Sequence, residues 1–251
     1  MDHGLPTVAV DRLEPPARYG VRTALFAIAV VLATIPFGVL LQQVTTEGRL
    51  TELDTSAARW LHERVRDNEA AVAVLEVISF IGKPVFLGGM IAIAVLWLLR
   101  SGARRLATFL LVTSIVGGLV DTAIKVAVGR PRPQLDEPLA SAFGQSFPSG
   151  HAMGSVFCLG ALLLAFMPAI PRRWRGPLVG AAVAVCLAIG FSRLALGVHY
   201  ITDVVGGYVL GVAWLCASVA AFEVWREDRG RRPTDPLHEG VEPEEAAELV
   251  S

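Results

Sequence analysis

Long stretches without a charged residue constrain the fold of this chain more than any other feature. Six such runs occur, at residues 23–46, 84–99, 106–120, 152–171, 176–192 and 204–222. A helix needs about 20 mostly apolar residues to cross a bilayer, and the shorter runs reach that length if they extend past a charge near one end. We therefore predict an all-α, six-transmembrane-helix bundle, with helices at about 21–42, 80–99, 105–128, 151–167, 177–195 and 200–225.

The composition is also typical of a membrane protein. Hydrophobic residues make up 53% of the 251 residues and charged residues 18%, whereas a soluble domain carries about 25% charged residues. The net charge of −1 gives no indication of a nucleic-acid partner. Cys158, Cys186 and Cys216 lie in apolar runs, and their spacing matches neither a disulfide framework nor a zinc motif.

Basic residues at the helix ends predict the orientation of the bundle, because cytoplasmic loops concentrate Lys and Arg. With an even number of spans, four clusters fall on one side: Arg12, Arg18 and Arg22; Arg100, Arg104 and Arg105; Arg172, Arg173 and Arg175; and Arg226, Arg229, Arg231 and Arg232. Both termini are then cytoplasmic in a multi-pass protein of the plasma (inner) membrane. We expect residues 1–20 to be a cytoplasmic segment, 21–225 the transmembrane domain, and 226–251 a cytoplasmic tail whose acidic composition predicts disorder.

Residues 47–76, between the first two predicted helices, would lie on the extracytoplasmic side. Their apolar residues have the spacing of one helical face: Leu53, Ala57, Trp60, Leu61, Val65 and Val72. An amphipathic helix lying on the outer leaflet would show this pattern. A solvated connecting helix with a small packing face would show it as well, and the sequence leaves both interpretations open.

Ionisable and polar residues cluster at the ends of the last four predicted helices. Such residues are costly at membrane depth and usually functional. The predicted topology places these ends on the extracytoplasmic side, so three separate connections bring cations and histidines to one surface. The residues are Lys125, Arg130 and Arg132 at the end of the third helix, Ser149 and His151 at the start of the fourth, Arg193 at the end of the fifth, and His199 and Asp203 at the start of the sixth.

The segment after the third helix supplies three cations. Arginine presents a planar donor fork suited to phosphate oxygens, and lysine acts as a point charge. Arg130 either joins this set or contacts lipid headgroups, and we slightly favour headgroups. Asp121 lies one turn before Lys125 on the same helix face, and we expect the two to pair.

Ser149, Gly150 and His151 follow a proline and precede an apolar helix. Ser149 is suited to cap that helix, and free backbone N–H groups at Ser149 and Gly150 would face an incoming anion. His151, at the helix entrance, could protonate a leaving oxygen as a general acid. A purely structural role for a histidine beside a helix cap is the alternative.

His199 and Asp203 are four residues apart at a predicted helix start, so they share one face. The carboxylate can bond one imidazole nitrogen, fix the tautomer and leave the other nitrogen available as a nucleophile. The alternatives are a polar helix-start pair or half of a metal site. A metal site would need more His, Asp or Glu donors, and the excess of cations would repel a metal ion. We therefore predict no metal and no cofactor.

Together these segments resemble the signature of the type 2 phosphatidic acid phosphatase (PAP2) superfamily. The chain shows it as Lys125-x6-Arg132-Pro133, Pro148-Ser149-Gly150-His151 and Ser192-Arg193-x5-His199-x3-Asp203. The resemblance implies that His199 attacks phosphorus and forms a phosphohistidine, that Asp203 orients His199, and that His151 protonates the leaving oxygen. It also implies a metal-independent site in which the phosphate oxygens are held by Lys125, Arg132, Ser149, Gly150 and Arg193.

The activity implied is hydrolysis of a lipid phosphate or pyrophosphate, such as an isoprenyl pyrophosphate, phosphatidic acid, phosphatidylglycerol phosphate or a prenyl-linked sugar phosphate. A phosphotransferase could use the same residues and pass the phosphate to a lipid-linked acceptor. Haloperoxidases that bind vanadate have a similar anion pocket, although the six spans argue against them. A non-catalytic protein could bind or transport anionic lipid. The oligomeric state is open, since Gly207 and Gly211 could form a helix contact within one chain or between two.

Overall fold

Helices are the only regular elements in the part of the chain that the computed structural model describes, residues 15–46, 48–135 and 139–249. This confirms the predicted all-α fold. Residues 1–14 of the predicted cytoplasmic segment and the last two residues of the tail lie outside the described ranges. The helices are α1 Pro15–Thr34, α2 Pro36–Thr45, α3 Arg49–Val65, α4 Glu69–Ile81, α5 Pro84–Arg100, α6 Arg104–Val128, α7 Gly150–Phe166, α8 Arg172–Ala195, α9 Ile201–Asp228, α10 Pro236–Glu239 and α11 Pro243–Glu248.

Among the described residues, five stretches are long and apolar enough to cross a membrane: Arg22–Thr45, Arg104–Val128, Gly150–Ala169, Arg172–Ala195 and Ile201–Asp228. A sixth span is present if α4 and α5, which are bent by 43° relative to each other, are taken as one. The protein is thus a multi-pass membrane protein with five or six candidate spans. The second predicted span is the irregular one, because Pro84 lacks an N–H group and starts α5 afresh.

Close packing between α7 and α9 forms the centre of the bundle. A Cβ atom on Gly207 would lie 2.6 Å from the Ser149 carbonyl oxygen, and one on Gly211 would lie 2.9 Å from Val156 Cβ. Both glycines therefore serve a contact within one chain, where the absence of a side chain lets the two helices approach. This contact brings the start of α7 against the start of α9, and the Ser149 N–H donates to the Asp203 carbonyl at 2.9 Å.

The fully buried face of α3 is polar, and its apolar face is partly buried or exposed. Asp54, Ala58 and His62, four residues apart, are buried, whereas the side chains of Leu53 and Trp60 are 63% and 53% exposed. The polar face turns inward because Asp54 has buried hydrogen-bond partners on other segments. Whether the apolar face contacts the outer leaflet stays a prediction.

The described part of the tail is folded against the bundle, so the expectation of disorder is wrong for it. Glu242 is fully buried and lies 2.9 Å from Arg105 Nε, 2.8 Å from Arg226 Nη1 and 3.3 Å from Arg231 Nη1. Glu245 accepts the backbone N–H groups of Arg105 and Leu106, both at 2.9 Å. The acidic residues that suggested disorder instead match the arginines at the end of the bundle opposite His199.

Candidate active site

The predicted site residues meet at one end of the bundle, around His199. His199 precedes α9 and Asp203 lies in its first turn, so their side chains share one face. His199 Nδ1 is 3.2 Å from Asp203 Oδ2, and the same carboxylate oxygen accepts the Tyr200 N–H at 2.9 Å. Both side chains are almost completely buried. The predicted His–Asp pair is therefore formed, and the backbone of the helix start helps to hold it.

Arg132 lies on the other side of the His199 ring. Its Nη1 is 3.1 Å from His199 Nε2 and donates to the Val198 carbonyl at 2.8 Å. Its remaining nitrogens donate to carbonyls of the loop before α7, those of Phe143, Gly144 and Gln145 at 3.0, 3.0 and 3.2 Å. A guanidinium has only donors, so Nε2 must be the acceptor and Nδ1 must carry the hydrogen directed at Asp203. The geometry therefore selects the tautomer with the Nε2 lone pair facing the cation.

The charge state of His199 follows from its surroundings. Burial lowers the pKa of its imidazole to about 4, although the hydrogen bond and charge of Asp203 act in the opposite direction. The positive charges of Arg132 and Arg193 contribute to this lowering. A neutral imidazole at pH 7 has an available lone pair, which is what a nucleophile requires.

Lys125 is held beneath the start of α7. Its Nζ is 2.7 Å from Asp121 Oδ1 and also donates to the Pro148 carbonyl, so the expected pair with Asp121 is present. A Cβ atom on Gly150 would lie 2.8 Å from Asp121 Oδ2 and 3.4 Å from Lys125 Nζ. Gly150 is thus required for this close approach of the α7 start to the Asp121–Lys125 pair.

Ser149 is the N-cap residue of α7, but it acts differently from the prediction. Its N–H group already donates to Asp203, so it does not face an incoming anion. Its side chain makes no capping hydrogen bond, and its fully buried hydroxyl has no partner among the described residues. His151 Nε2 is likewise buried without a partner in this part of the chain. The start of α7 therefore has a buried hydroxyl and a buried imidazole nitrogen that are unpaired within the described residues.

Arg193 is 5% exposed and donates through Nη1 to the hydroxyl of Ser79 on α4. Its buried Nε has no partner among the described residues. Arg193 and Ser79 line a cavity of ≈ 530 Å³, together with Lys83 and Leu196. Sequence reasoning missed Ser79, because a serine in an apolar helix carries no signal until its partner is known.

Arg130 corrects the interpretation that favoured lipid headgroups. It is 7% exposed, its Nη1 lies 2.5 Å from Asp203 Oδ1, and its Nη2 lies 2.8 Å from Asp54 Oδ2. The guanidinium also stacks 4.2 Å from the centre of the Tyr200 ring. Arg130 thus binds the Asp203 oxygen that does not face His199. Asp54 is a second residue that sequence reasoning missed.

The donor set of the site is cationic rather than metal-ligating. Across the described residues, His, Cys, Asp and Glu side chains form no group of three or more that could hold a metal ion. Lys125, Arg132 and Arg193 instead approach the two histidines from three segments. Such an arrangement can bind a phosphate-like anion beside the Nε2 lone pair of His199.

Comparison with known proteins finds similar sequences. The sequence model of the PAP2 superfamily matches residues 106–227. Phosphatidylglycerophosphatase B of Bacillus subtilis is 33% identical over 97 residues, which are 38% of this chain and 47% of that protein. The lipid A 1-phosphatase of Rhizobium johnstonii is 33% identical over 130 residues, 46% of this chain and 49% of that protein. The chain therefore spans about half the length of the curated relatives it matches.

A solved structure resembles most of the bundle. The crystal structure of a transmembrane PAP2-type phosphatidylglycerolphosphate phosphatase from Bacillus subtilis matches with a TM-score of 0.66 and 22% sequence identity. The match covers 84% of this chain and 98% of the other. At this identity the likeness shows a shared fold.

Proposed function

Residues 106–227 belong to the PAP2 superfamily, and from this we propose that the protein removes a phosphate from a membrane lipid. The observation that carries the proposal is the environment of His199, whose Nε2 faces Arg132 at 3.1 Å while Nδ1 faces Asp203 at 3.2 Å. Relatives named for phosphatidylglycerophosphate and lipid A phosphate support a lipid phosphate as the substrate class. Isoprenyl pyrophosphate and phosphatidic acid belong to the same class of candidates.

In the first step, the phosphate oxygens accept hydrogen bonds from Arg132, Lys125 and Arg193. The Nη1 donor then leaves His199 Nε2, whose lone pair attacks phosphorus. A nitrogen–phosphorus bond forms while the bond from phosphorus to the lipid oxygen breaks. Asp203 stabilises the positive charge that develops on the imidazole.

His151 completes the proton transfers. A bound phosphate favours the protonated imidazole, which gives its proton to the leaving lipid oxygen. In the second step, the now neutral His151 takes a proton from water as the water oxygen attacks phosphorus. The nitrogen–phosphorus bond breaks, inorganic phosphate forms, and both histidines return to their starting states. The Ser149 hydroxyl supplies a further donor to the phosphate oxygens.

The site is proposed to face the extracytoplasmic side, with both termini in the cytoplasm. The arginines of the tail and of the α5–α6 connection lie at the end of the bundle opposite His199, and cytoplasmic ends are rich in such residues. A substrate whose acyl or prenyl tail stays in the bilayer could then present its headgroup at the outer surface.

Phosphate release by the detergent-purified protein tests the proposal. The substrates are phosphatidylglycerol phosphate, phosphatidic acid, an isoprenyl pyrophosphate and a lipid A phosphate, each with and without EDTA. His199→Ala should abolish release. His238→Gln, which changes a histidine with a side chain that is 77% exposed, is the matched control and should retain full activity.

Each result has a distinct meaning. EDTA-resistant release that disappears only in His199→Ala supports a metal-independent hydrolase. Abolition by EDTA would contradict the metal-independent mechanism. No free phosphate from any lipid, with phosphate instead transferred to an added lipid-linked acceptor, would establish a transferase.

A further inference from the structure

Asp54 on α3 makes buried contacts with the residues behind His199. Its Oδ2 accepts from Arg130 Nη2 at 2.8 Å and from the Thr202 hydroxyl, and its Oδ1 accepts the Thr202 N–H at 3.0 Å. Arg130 in turn donates to Asp203 Oδ1 at 2.5 Å. Asp54, Arg130 and Asp203 are 1%, 7% and 0% exposed. Solvent therefore screens the interactions among these charges only weakly.

Two carboxylates hold the first turn of α9. The first N–H groups of a helix have no partner within the helix and need an acceptor when they are buried. Asp54 accepts the Thr202 N–H, and Asp203 accepts the Tyr200 N–H. Because Asp203 belongs to that turn, the contacts of Asp54 also constrain where the Asp203 carboxylate points.

The charge balance gives Asp54 a second effect. A buried pair of Arg130 and Asp203 alone would be neutral and would attract a positive charge on His199 only weakly. With Asp54 added, two carboxylates share one guanidinium, and the group keeps an excess of one negative charge. In a weakly screened site, this excess favours the positive charge that develops on His199 as its Nε2 bonds to phosphorus.

We propose that Asp54 is a positioning residue for the reaction. It holds Arg130 and the α9 start so that Asp203 directs Oδ2 at His199. Its negative charge also offsets the charge of Arg130, so that Asp203 still attracts the positive charge that develops on His199. Helix α3, which lies outside the six predicted spans, thus contributes to the reaction of the residues on α7 and α9. The kinetic part of this inference rests on the proposed phosphatase activity.

A purely structural role is the competing explanation. Asp54 could anchor α3 to the bundle, in which case its loss would lower stability and leave the chemistry of His199 unchanged. The two explanations differ in their effect on kcat and on the strength of the hydrogen bond between His199 Nδ1 and Asp203, since an anchor alone alters neither in the folded protein.

Asp54→Asn is the informative variant, because it keeps the shape of the side chain and removes its charge. Glu52→Gln is the matched control, since it removes a charge from the exposed side of the same helix. We expect Asp54→Asn to lower kcat by roughly tenfold, the low end of the loss seen when a residue that orients a metal-ligating histidine is removed, with KM unchanged. Glu52→Gln should match wild type in both.

A second measurement does not depend on activity. The ¹⁵N spectrum of histidine-labelled protein, with His199 assigned through His199→Gln, reports which ring nitrogen carries the hydrogen. The charged groups that face this ring are Asp203, Arg132 and Arg193. In both proteins the hydrogen should be on Nδ1, because Arg132 donates to Nε2; in Asp54→Asn the Nδ1–H signals should shift toward those of a weaker hydrogen bond, because Asp203 accepts this hydrogen less strongly.

Asp54→Asn and Arg130→Gln also form a double-mutant cycle. If Asp54 acts through Arg130, then adding Asp54→Asn to Arg130→Gln should cause little further loss of kcat, because neighbours in one network are not additive. Should Asp54→Asn fail to fold, Arg130→Lys replaces it in both measurements with the same expected outcomes, since lysine keeps the charge but lacks the planar fork that bridges two carboxylates.

A wild-type kcat together with wild-type Nδ1–H signals in folded Asp54→Asn would overturn the inference and leave Asp54 as an anchor. If wild-type protein releases phosphate from no lipid, the proposed function fails, and the ¹⁵N spectra still decide the role of Asp54. An unchanged spectrum would then count against the inference by itself.

Discussion

At the scale of single residues, the imidazole of His199 lies between a negative charge, Asp203, and a positive charge, Arg132. Asp203 holds the hydrogen on Nδ1, and Arg132 stands at Nε2 and discourages a second proton. Burial is the largest cause that lowers the pKa of this imidazole to about 4, and the charge of Arg132 acts in the same direction. The ring is therefore held in the one form, neutral with Nε2 unprotonated, that can attack an electrophile.

We predict that His199 stays neutral between pH 7.5 and pH 5, whereas a free imidazole with a pKa of about 6.5 would gain its proton in that interval. The unfolded chain therefore binds more protons than the folded one over this range, so this residue makes stability fall as the pH falls from about 6.5 toward 4. The ¹⁵N shifts of His199, recorded against pH, measure the titration. A midpoint near that of free imidazole would contradict the burial effect.

Residue spacing could predict only those contacts that are local in sequence. The His199–Asp203 and Asp121–Lys125 pairs are each four residues apart and follow from helical geometry. The partners of Arg130 lie 73 and 76 residues away, and no pattern within one segment shows them. The N–H group of Ser149 was assigned wrongly for the same reason, because its acceptor belongs to α9.

At the scale of elements, the contact between α7 and α9 fixes the relative position of two parts of the site. Ser149 and His151 start one helix, and Asp203 starts the other. The backbones approach where Gly207 leaves room, with its missing Cβ only 2.6 Å from the Ser149 carbonyl. Tight backbone packing of this kind leaves no flexible side chain to move aside.

Gly207→Ala should therefore separate α7 from α9. We expect a loss of about 1–3 kcal/mol in stability from overpacking and a fall in kcat, because Ser149 and His151 shift relative to His199. Thermal unfolding in detergent and phosphate release measure the two effects. Gly118→Ala is the control, since nothing lies within 4 Å of its added Cβ; equal behaviour of the two variants would argue against the packing explanation.

Uncharged runs predicted where the helices lie better than periodicity predicted which faces they bury. Membrane spans follow from the cost of placing charge in lipid, a property that each segment carries by itself. The α3 face depends on interactions with other segments, since its buried carboxylate is stabilised by Arg130 and Thr202. Apolar spacing indicates that α3 is amphipathic, but it carries no information about the partners of the buried carboxylate.

At the scale of the whole molecule, charged networks join the helices at both ends of the bundle. Around His199 the network includes Arg130 and Asp203, and at the opposite end it centres on Glu242 and Arg226, both fully buried. Composition predicted a disordered tail because it counts acidic residues without their partners. The partners, Arg105 and Arg226, lie more than a hundred residues before Glu242 in one case and on the last long helix in the other.

Glu242→Gln should destabilise the folded protein and leave the chemistry intact. Removing one partner of a buried ion pair costs roughly 3–5 kcal/mol, and we expect the low end because Arg226 keeps Glu244 at 3.1 Å. Thermal unfolding should occur at lower temperature, while kcat at 25 °C stays that of wild type. Glu239→Gln, at a more exposed pair, should change neither value, and a wild-type unfolding temperature for Glu242→Gln would contradict a stabilising role for the tail.

The position of Asp54 early in the chain has a consequence for biogenesis. Arg130 follows it by 76 residues and Thr202 by 148. At a synthesis rate of about 5–20 residues per second, Asp54 leaves the ribosome roughly 7–30 s before Thr202. During that interval Asp54 lacks the Thr202 N–H as a donor to Oδ1, even after Arg130 has been made. The end of the bundle that holds His199 is therefore completed only when the last long helix has been inserted, so a chain interrupted before that point lacks the contacts of Asp54 with Thr202.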